Sequence, residues 1–168
     1  KGVPTGLQFG KDGLTGATYV RLLAALFQPY LKVSPKGDRF ADETLPLEYI
    51  SNAAEEIGGE AFAVFDDNTR KEMINEGLPR GYFGMVAPGT KFTNFDKLFE
   101  EGVKKGFCYK ANSIKELAKK TGMDPQRLQK TVDRMNQMTK NQKDDEFYKD
   151  SQWLREVKKG PFYAIKGS

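Results

Sequence analysis

The sequence predicts an α+β domain in which a small β-hairpin and a few short strands pack with several helices. Apolar residues recur at helical spacing in separated segments, and the runs with strand character are short and scattered. Helices and strands do not alternate as repeated βαβ units would, and no internal repeat is visible.

The first periodic segment is residues 17–27, where Tyr19, Leu22, Leu23 and Leu26 keep helical spacing and Arg21 is the only charge; Pro29 stops it. Gly10, Gly13 and Gly16 precede it with a spacing that does not match a dinucleotide fingerprint, and with no strand before them they read as loop glycines. Residues 30–33 and 39–41 flank Ser34-Pro35-Lys36-Gly37-Asp38, a turn sequence, and read as a β-hairpin. A helix over residues 47–57 follows, with Tyr49, Ile50, Ala53 and Ile57 on one face and Gly58-Gly59 at its end. Residues 61–65 form a buried strand, and one of Asp66, Asp67 and Asn68 caps the helix over residues 69–76.

Residues 77–93 hold four glycines, two prolines and the aromatics Tyr82, Phe83 and Phe92, which makes them a long ordered loop, a kind that is often functional. A helix over residues 94–105 leads into a strand over residues 107–110. Ser113 and Glu116 have the spacing of a capping box, in which each side chain satisfies the other's backbone donor, and Gly122 ends that helix. Asp124 caps the next helix with Pro125 at its first position, and Leu128, Val132, Met135 and Met138 mark its buried face. Residues 161–166 form a last short strand.

Composition removes several kinds of chemistry. The chain has 168 residues and no histidine, so Ser-His and Cys-His nucleophile arrangements are absent and any acid or base must be a carboxylate, Lys, Arg, Tyr or a cofactor. The single Cys108 forms no internal disulfide, and no Cys/His cluster exists for zinc. The net charge of +4 comes from interspersed signs, so no phosphate-tracking stripe and no nucleic-acid partner is expected. No apolar run approaches the ~20 residues of a membrane span, so a soluble chain without direct membrane insertion is expected, its parent either cytoplasmic or exported to the cell envelope. No glycine-rich loop suited to a nucleotide phosphate is present either.

Two longer motifs carry a resemblance. Lys36-Gly37-Asp38-Arg39-Phe40-Ala41-Asp42-Glu43 is similar to the Gly-x-Arg-Phe-x-Asn/Asp-Glu segment that opens the capping domain of fumarate reductase and 3-ketosteroid dehydrogenase-type flavoproteins. Residues 110–118 and 122–124, with Leu128, Thr131-Val132 and Met135-Asn136, resemble that family's paired helices. Asp144-Asp145-Glu146-Phe147 and residues 160–165 add two landmarks in the family's order.

The resemblance implies that residues 1–168 are a capping domain excised from a larger flavoprotein, with a lead-in segment and helix over 1–28 and the cap core over 29–166. It implies FAD in the full-length parent, bound mainly by sequence outside this chain, with none held by the fragment. The implied partners are the FAD-binding domain of the same polypeptide, a small organic substrate and an unidentified electron donor. The implied reaction passes hydride between flavin and a carbon–carbon bond; the alternative is a non-catalytic ligand-binding or partner-docking relative of the same fold.

Fumarate-reducing members place an Arg where this chain has Leu47, and a Thr-Glu pair and an Arg fall on Leu22, Leu23 and Leu26. A small dicarboxylate needs cationic partners, so fumarate is not the expected substrate. Position relative to Glu43 and in the glycine-rich loop nominates Leu47, Glu48 and Arg80 for substrate binding and Tyr49 or Tyr82 for proton delivery. Against these stand plainer roles, with Tyr49 in the core, Arg80 a solvated loop charge and Glu43 a buried tie between the hairpin and the next helix.

Overall fold

The structure, a computed structural model, describes residues 19–167. Gly10, Gly13, Gly16 and the start of the first expected helix lie outside the described residues. Among the described residues, six α-helices and a short 3-10 helix (Ser151–Trp153) surround one antiparallel sheet: α1 (Val20–Leu26), β1 (Lys32–Val33), α2 (Leu47–Glu56), β2 (Ala61–Asp66), α3 (Asp67–Asn75), α4 (Phe95–Lys105), β3 (Cys108–Ala111), α5 (Ile114–Thr121), α6 (Pro125–Lys140) and β4 (Phe162–Gly167). The strand order is β1-β2-β4-β3, so the two apolar six-residue strands lie at the centre.

Both sheet faces are covered, which is why β2 reads as an unbroken apolar run. Ala61, Ala63, Phe65, Tyr163 and Ile165 face a core built with α1, α4 and the residue 77–93 loop; Phe65 stacks on Tyr163 at 5.5 Å. Phe62, Val64, Phe162 and Ala164 face the other way, onto α5 and α6. The alternation extends to β1, whose Lys32 pairs with Ala63 and Val33 with Phe62. Lys32 therefore projects on the α1 side, the fact from which the site is built.

The expected hairpin is reduced to a turn. Ser34 N–H donates to Asp38 O at 2.8 Å, but only Val33 and Arg39 bridge, and β1 pairs with β2 instead. Residues 39–41 leave the sheet because the Arg39 guanidinium is drawn into buried ion pairs with Glu43 and Asp144. The turn itself seats on α6: Gly37 has φ +98°, a Cβ there would lie 3.0 Å from Leu128 N, and the Thr131 hydroxyl donates to Gly37 O. Gly37→Ala is expected to cost about 1–3 kcal/mol in urea denaturation, from both the φ and the clash. An unchanged midpoint would mean that the turn does not rest on α6 in this way.

Two local expectations are corrected. In α2 the buried residues are Ile50, Ser51 and Ala54, whereas Tyr49 is 64% exposed, because small side chains let the helix approach the core more closely than an aromatic would. At α5, Ser113 Oγ accepts from Glu116 N–H as expected, but Glu116 returns the bond to Asn112 N–H rather than to Ser113, tying down the end of β3. The remaining expected caps follow the sequence: Asp66 accepts from Thr69 N–H, Asp124 from Gln126 and Arg127 N–H, and Gly122 ends α5 in left-handed geometry, as Gly106 also does for α4. Asp66 also accepts from Lys158 and Lys159 N–H, so one carboxylate caps a helix and anchors the approach to β4.

Candidate active-site cleft

At the end of α1 the chain turns through Phe27 and Gln28 into β1, and Gln28 organises the neighbourhood. Its amide donates to Ala24 O and Arg80 O, and its Oε1 accepts from Arg80 N–H at 2.8 Å. A buried glutamine thus fastens the glycine-rich loop to the end of α1. The loop is closed at its base by Leu78 N–H to Thr90 O and Gly89 N–H to Leu78 O, and turns back at Tyr82–Val86. Gly77 (φ +106°) admits this closure, since a Cβ would meet Gly89 O at 2.3 Å. Tyr82 stacks flat on Phe27 at 5.5 Å and meets Phe83 edge-on at 4.9 Å.

These elements and the start of α2 enclose a half-open cleft of ≈ 200 Å³. Its walls are Phe27, Tyr82 and Phe83 on one side and Leu45, Pro46, Leu47 and Ile50 on the other; Lys32, Glu43 and Arg80 supply the charge. Of the residues nominated from sequence, Leu47, Arg80 and Tyr82 meet here. Glu48 and Tyr49 are not among the lining and point to solvent from α2. Arg80 is not a free loop charge: one guanidinium nitrogen donates to Thr44 O at 2.9 Å, and the residue lines the cleft.

Glu43 is the tie that the sequence suggested, but its reach is longer. Its carboxylate accepts from Lys32 N–H, from the Arg39 fork at 2.9 Å on both oxygens, and from Lys149 Nζ at 2.9 Å. Burial pushes this carboxyl up, and Lys149 and Arg39 more than offset it, leaving its pKa below the usual range. Arg39 also forks onto Asp144, and its guanidinium lies 4.9 Å over the Phe147 ring. Asp144 accepts further bonds from the Glu146, Phe147 and Lys149 N–H groups; these and Arg39 outweigh its burial and hold it well below the carboxylate range. The motif at residues 37–43 and the landmark at residues 144–147 are therefore two halves of one buried ion network beneath the cleft.

Lys32, Gln28 and Phe27 were not singled out from sequence. A lysine between Leu31 and Val33 reads as the solvent side of an alternating strand, and nothing local announces that α1 and the loop cover that side. Leu22, Leu23 and Leu26 are buried in the core.

Among the described residues no group of three or more His, Cys, Asp or Glu is placed to hold a metal ion. None of the turns leading from β2 into α3 or β3 into α5 contains glycine, and the first carries Asp66 and Asp67, whose charge repels a phosphate. The cleft is also smaller than the ~300–1,000 Å³ of typical ligand pockets. No described helix is long and apolar enough to cross a membrane.

No family model matches the chain. It is 31% identical over 147 residues to a vinyl phenol reductase of Lactiplantibacillus plantarum, covering 85% of this chain but only 30% of that protein's length. In fold it is similar to a flavocytochrome c3 fumarate reductase in an open conformation, with a TM-score of 0.66 and 24% identity, covering 97% of this chain and 24% of the other. A fumarate reductase flavoprotein subunit from Lactobacillus plantarum, determined in solution, has a TM-score of 0.65 and 20% identity, covering 95% of this chain and 94% of that one.

Proposed function

We propose that this chain, fumarate reductase-like in sequence and in fold, is the substrate-covering cap (residues 1–168, its core over 29–166) of a larger FAD-dependent reductase or dehydrogenase. The observation that carries the reading is where the exposed apolar side chains lie. Among the described residues the exposed large apolar side chains are Leu45, Tyr49, Phe83, Met85, Val103 and Tyr148; Leu45 and Phe83 line the cleft, and Tyr49 and Met85 stand close to them in sequence. Phe83 is 64% exposed and held there by a φ of +44° in the tight turn at residues 82–86. An exposed apolar rim around a concave, partly charged centre is the form of a docking surface. Its occupant here is the FAD-binding domain of the same polypeptide, against which Tyr49 and Phe83 close.

FAD, held by that domain, supplies hydride exchange with the substrate. The cap's own residues bind and orient the substrate and exclude water. The flat faces of Phe27 and Tyr82 and the apolar wall of Leu47 and Ile50 suit a planar, unsaturated organic molecule, and the Arg80 guanidinium suits one oxygen-bearing end of it. Burial raises the Tyr82 pKa, so its phenol stays protonated and able to donate a hydrogen bond.

The test is an absorption spectrum of the full-length parent beside this chain, followed by Phe83→Glu in the parent. Bound flavin is expected in the parent. The variant should keep its flavin while turnover falls roughly 10–100-fold as closure is misaligned. A colourless parent would overturn the reading.

A further inference from the structure

We propose that Lys32 is the acid–base group of the cleft, its side-chain nitrogen exchanging a proton with the substrate, an assignment resting on the cap reading above for substrate and hydride. Three buried cations lie in this part of the molecule, and two are answered by carboxylates: Arg39 by Glu43 and Asp144, Lys149 by Glu43. Among the described residues the Lys32 ammonium has no carboxylate within 4 Å, Glu43 acting on it only from farther away. Its one side-chain hydrogen bond runs to the neutral carbonyl of Gln28 at 2.7 Å, leaving two N–H directions without a partner among the described residues. The residue is 1% exposed, so the chain does not snorkel to water, yet it is part of the cleft lining.

Packing alone does not account for a lysine here. A methionine would fill the slot opposite Ala63 without the penalty of desolvating a charge. The charged groups facing Lys32 are Glu43 from the turn before α2, Lys149 from the segment before β4, and Arg80 from the glycine-rich loop. Burial lowers its pKa most; Glu43 opposes this, Lys149 and Arg80 add to it, and the result is about 7. Ammonium and amine are then both populated near neutrality, the condition under which one group both gives and regains a proton efficiently. The chain has no histidine to take this role instead.

In the reducing direction the step balances as follows. Reduced flavin, bound by the rest of the parent, would supply a hydride to one carbon of an alkene conjugated to an electron-withdrawing group. The alkene π pair shifts to the adjacent carbon and forms a C–H bond with the Lys32 proton. The N–H bond breaks with its electrons remaining on nitrogen, and the neutral amine regains a proton from solvent before the next cycle.

Two measurements decide the assignment. In this chain, lysines labelled with carbon-13 and nitrogen-15 at the side-chain terminus are titrated by NMR. One resonance, absent in Lys32→Met, is expected to titrate near pH 7; a Lys32 titration above about pH 9.5 overturns the proposal. In the full-length parent, Lys32→Met is expected to keep its flavin spectrum and KM while kcat falls ~100-fold or more, with loss of the limb near pH 7 in the kcat profile. Wild-type kcat with that limb intact in the variant also overturns it. A parent without flavin overturns the cap reading instead, and the NMR titration then decides Lys32 independently.

Discussion

Arg39→Leu is expected to destabilise the folded chain by about 3–5 kcal/mol at neutral pH, the range for removing one partner of a buried ion network. The guanidinium side chain is 3% exposed and donates to both oxygens of Glu43 and both of Asp144. Leucine would leave Glu43 with Lys149 and the Lys32 N–H, and Asp144 with backbone donors alone. In the wild-type chain both carboxyls have depressed folded pKa values, so their contribution is present above the unfolded carboxylate range and is lost as pH falls through the folded values. In the variant that contribution is smaller to begin with. The stability gap between the two proteins should therefore narrow as pH falls below about 5, where the orphaned carboxyls can protonate. Urea denaturation at two pH values measures both effects. A loss under about 1 kcal/mol at neutral pH would place this network in the class of weak surface pairs.

Arg39 also shows what could be read from the chain and what could not. The elements were legible because their signals are local: Asp66, Ser113 and Asp124 cap helices wherever they stand before an apolar repeat, and Leu128, Val132, Met135 and Met138 keep the period of a buried face in any context. The α+β class followed from such signals, and the similarity to fumarate reductase-like flavoproteins from the resemblance of residues 36–43, 110–136, 144–147 and 160–165 to that family's segments. Partnerships were not legible. The contacts between Arg39 and Asp144, Gln28 and Arg80, and Lys149 and Glu43 span more than fifty residues each, and no spacing rule reaches that far. The same blindness turned a two-strand hairpin into the expectation at residues 30–41, because pairing of β1 with β2 depends on a strand thirty residues on. For the cleft, position in the loop was enough to nominate Arg80 and Tyr82. The rotation of α2, which takes Glu48 and Tyr49 out of the lining, depended on how closely Ser51 and Ala54 pack.

Replacing Lys32 by methionine should stabilise the fold, which separates it from the other buried cations, whose loss should be harmful. The folded Lys32 pKa of about 7 lies below the 10.5 of an unperturbed lysine, so between those values the unfolded chain holds one more proton than the folded one. Wild-type stability must therefore rise with pH across that window, and the cost of burying the ammonium is fully present below about 7. A shift of this size corresponds to roughly 3–5 kcal/mol, of which the lost hydrogen bond to Gln28 O returns about 1 kcal/mol. The net expectation is a gain of roughly 2–4 kcal/mol for the variant at pH 6–7, shrinking as pH approaches about 10, in line with the effect of exchanging buried charges for apolar groups. Denaturant midpoints of both proteins from pH 6 to 10 test this. A pH-independent difference would show that Lys32 does not titrate in that window. A destabilised variant would show that its ammonium is needed by the fold rather than carried for the cleft. A fold that is more stable without a residue, in a larger protein that turns over poorly without it, is the combination that an acid–base role requires and a packing role cannot produce.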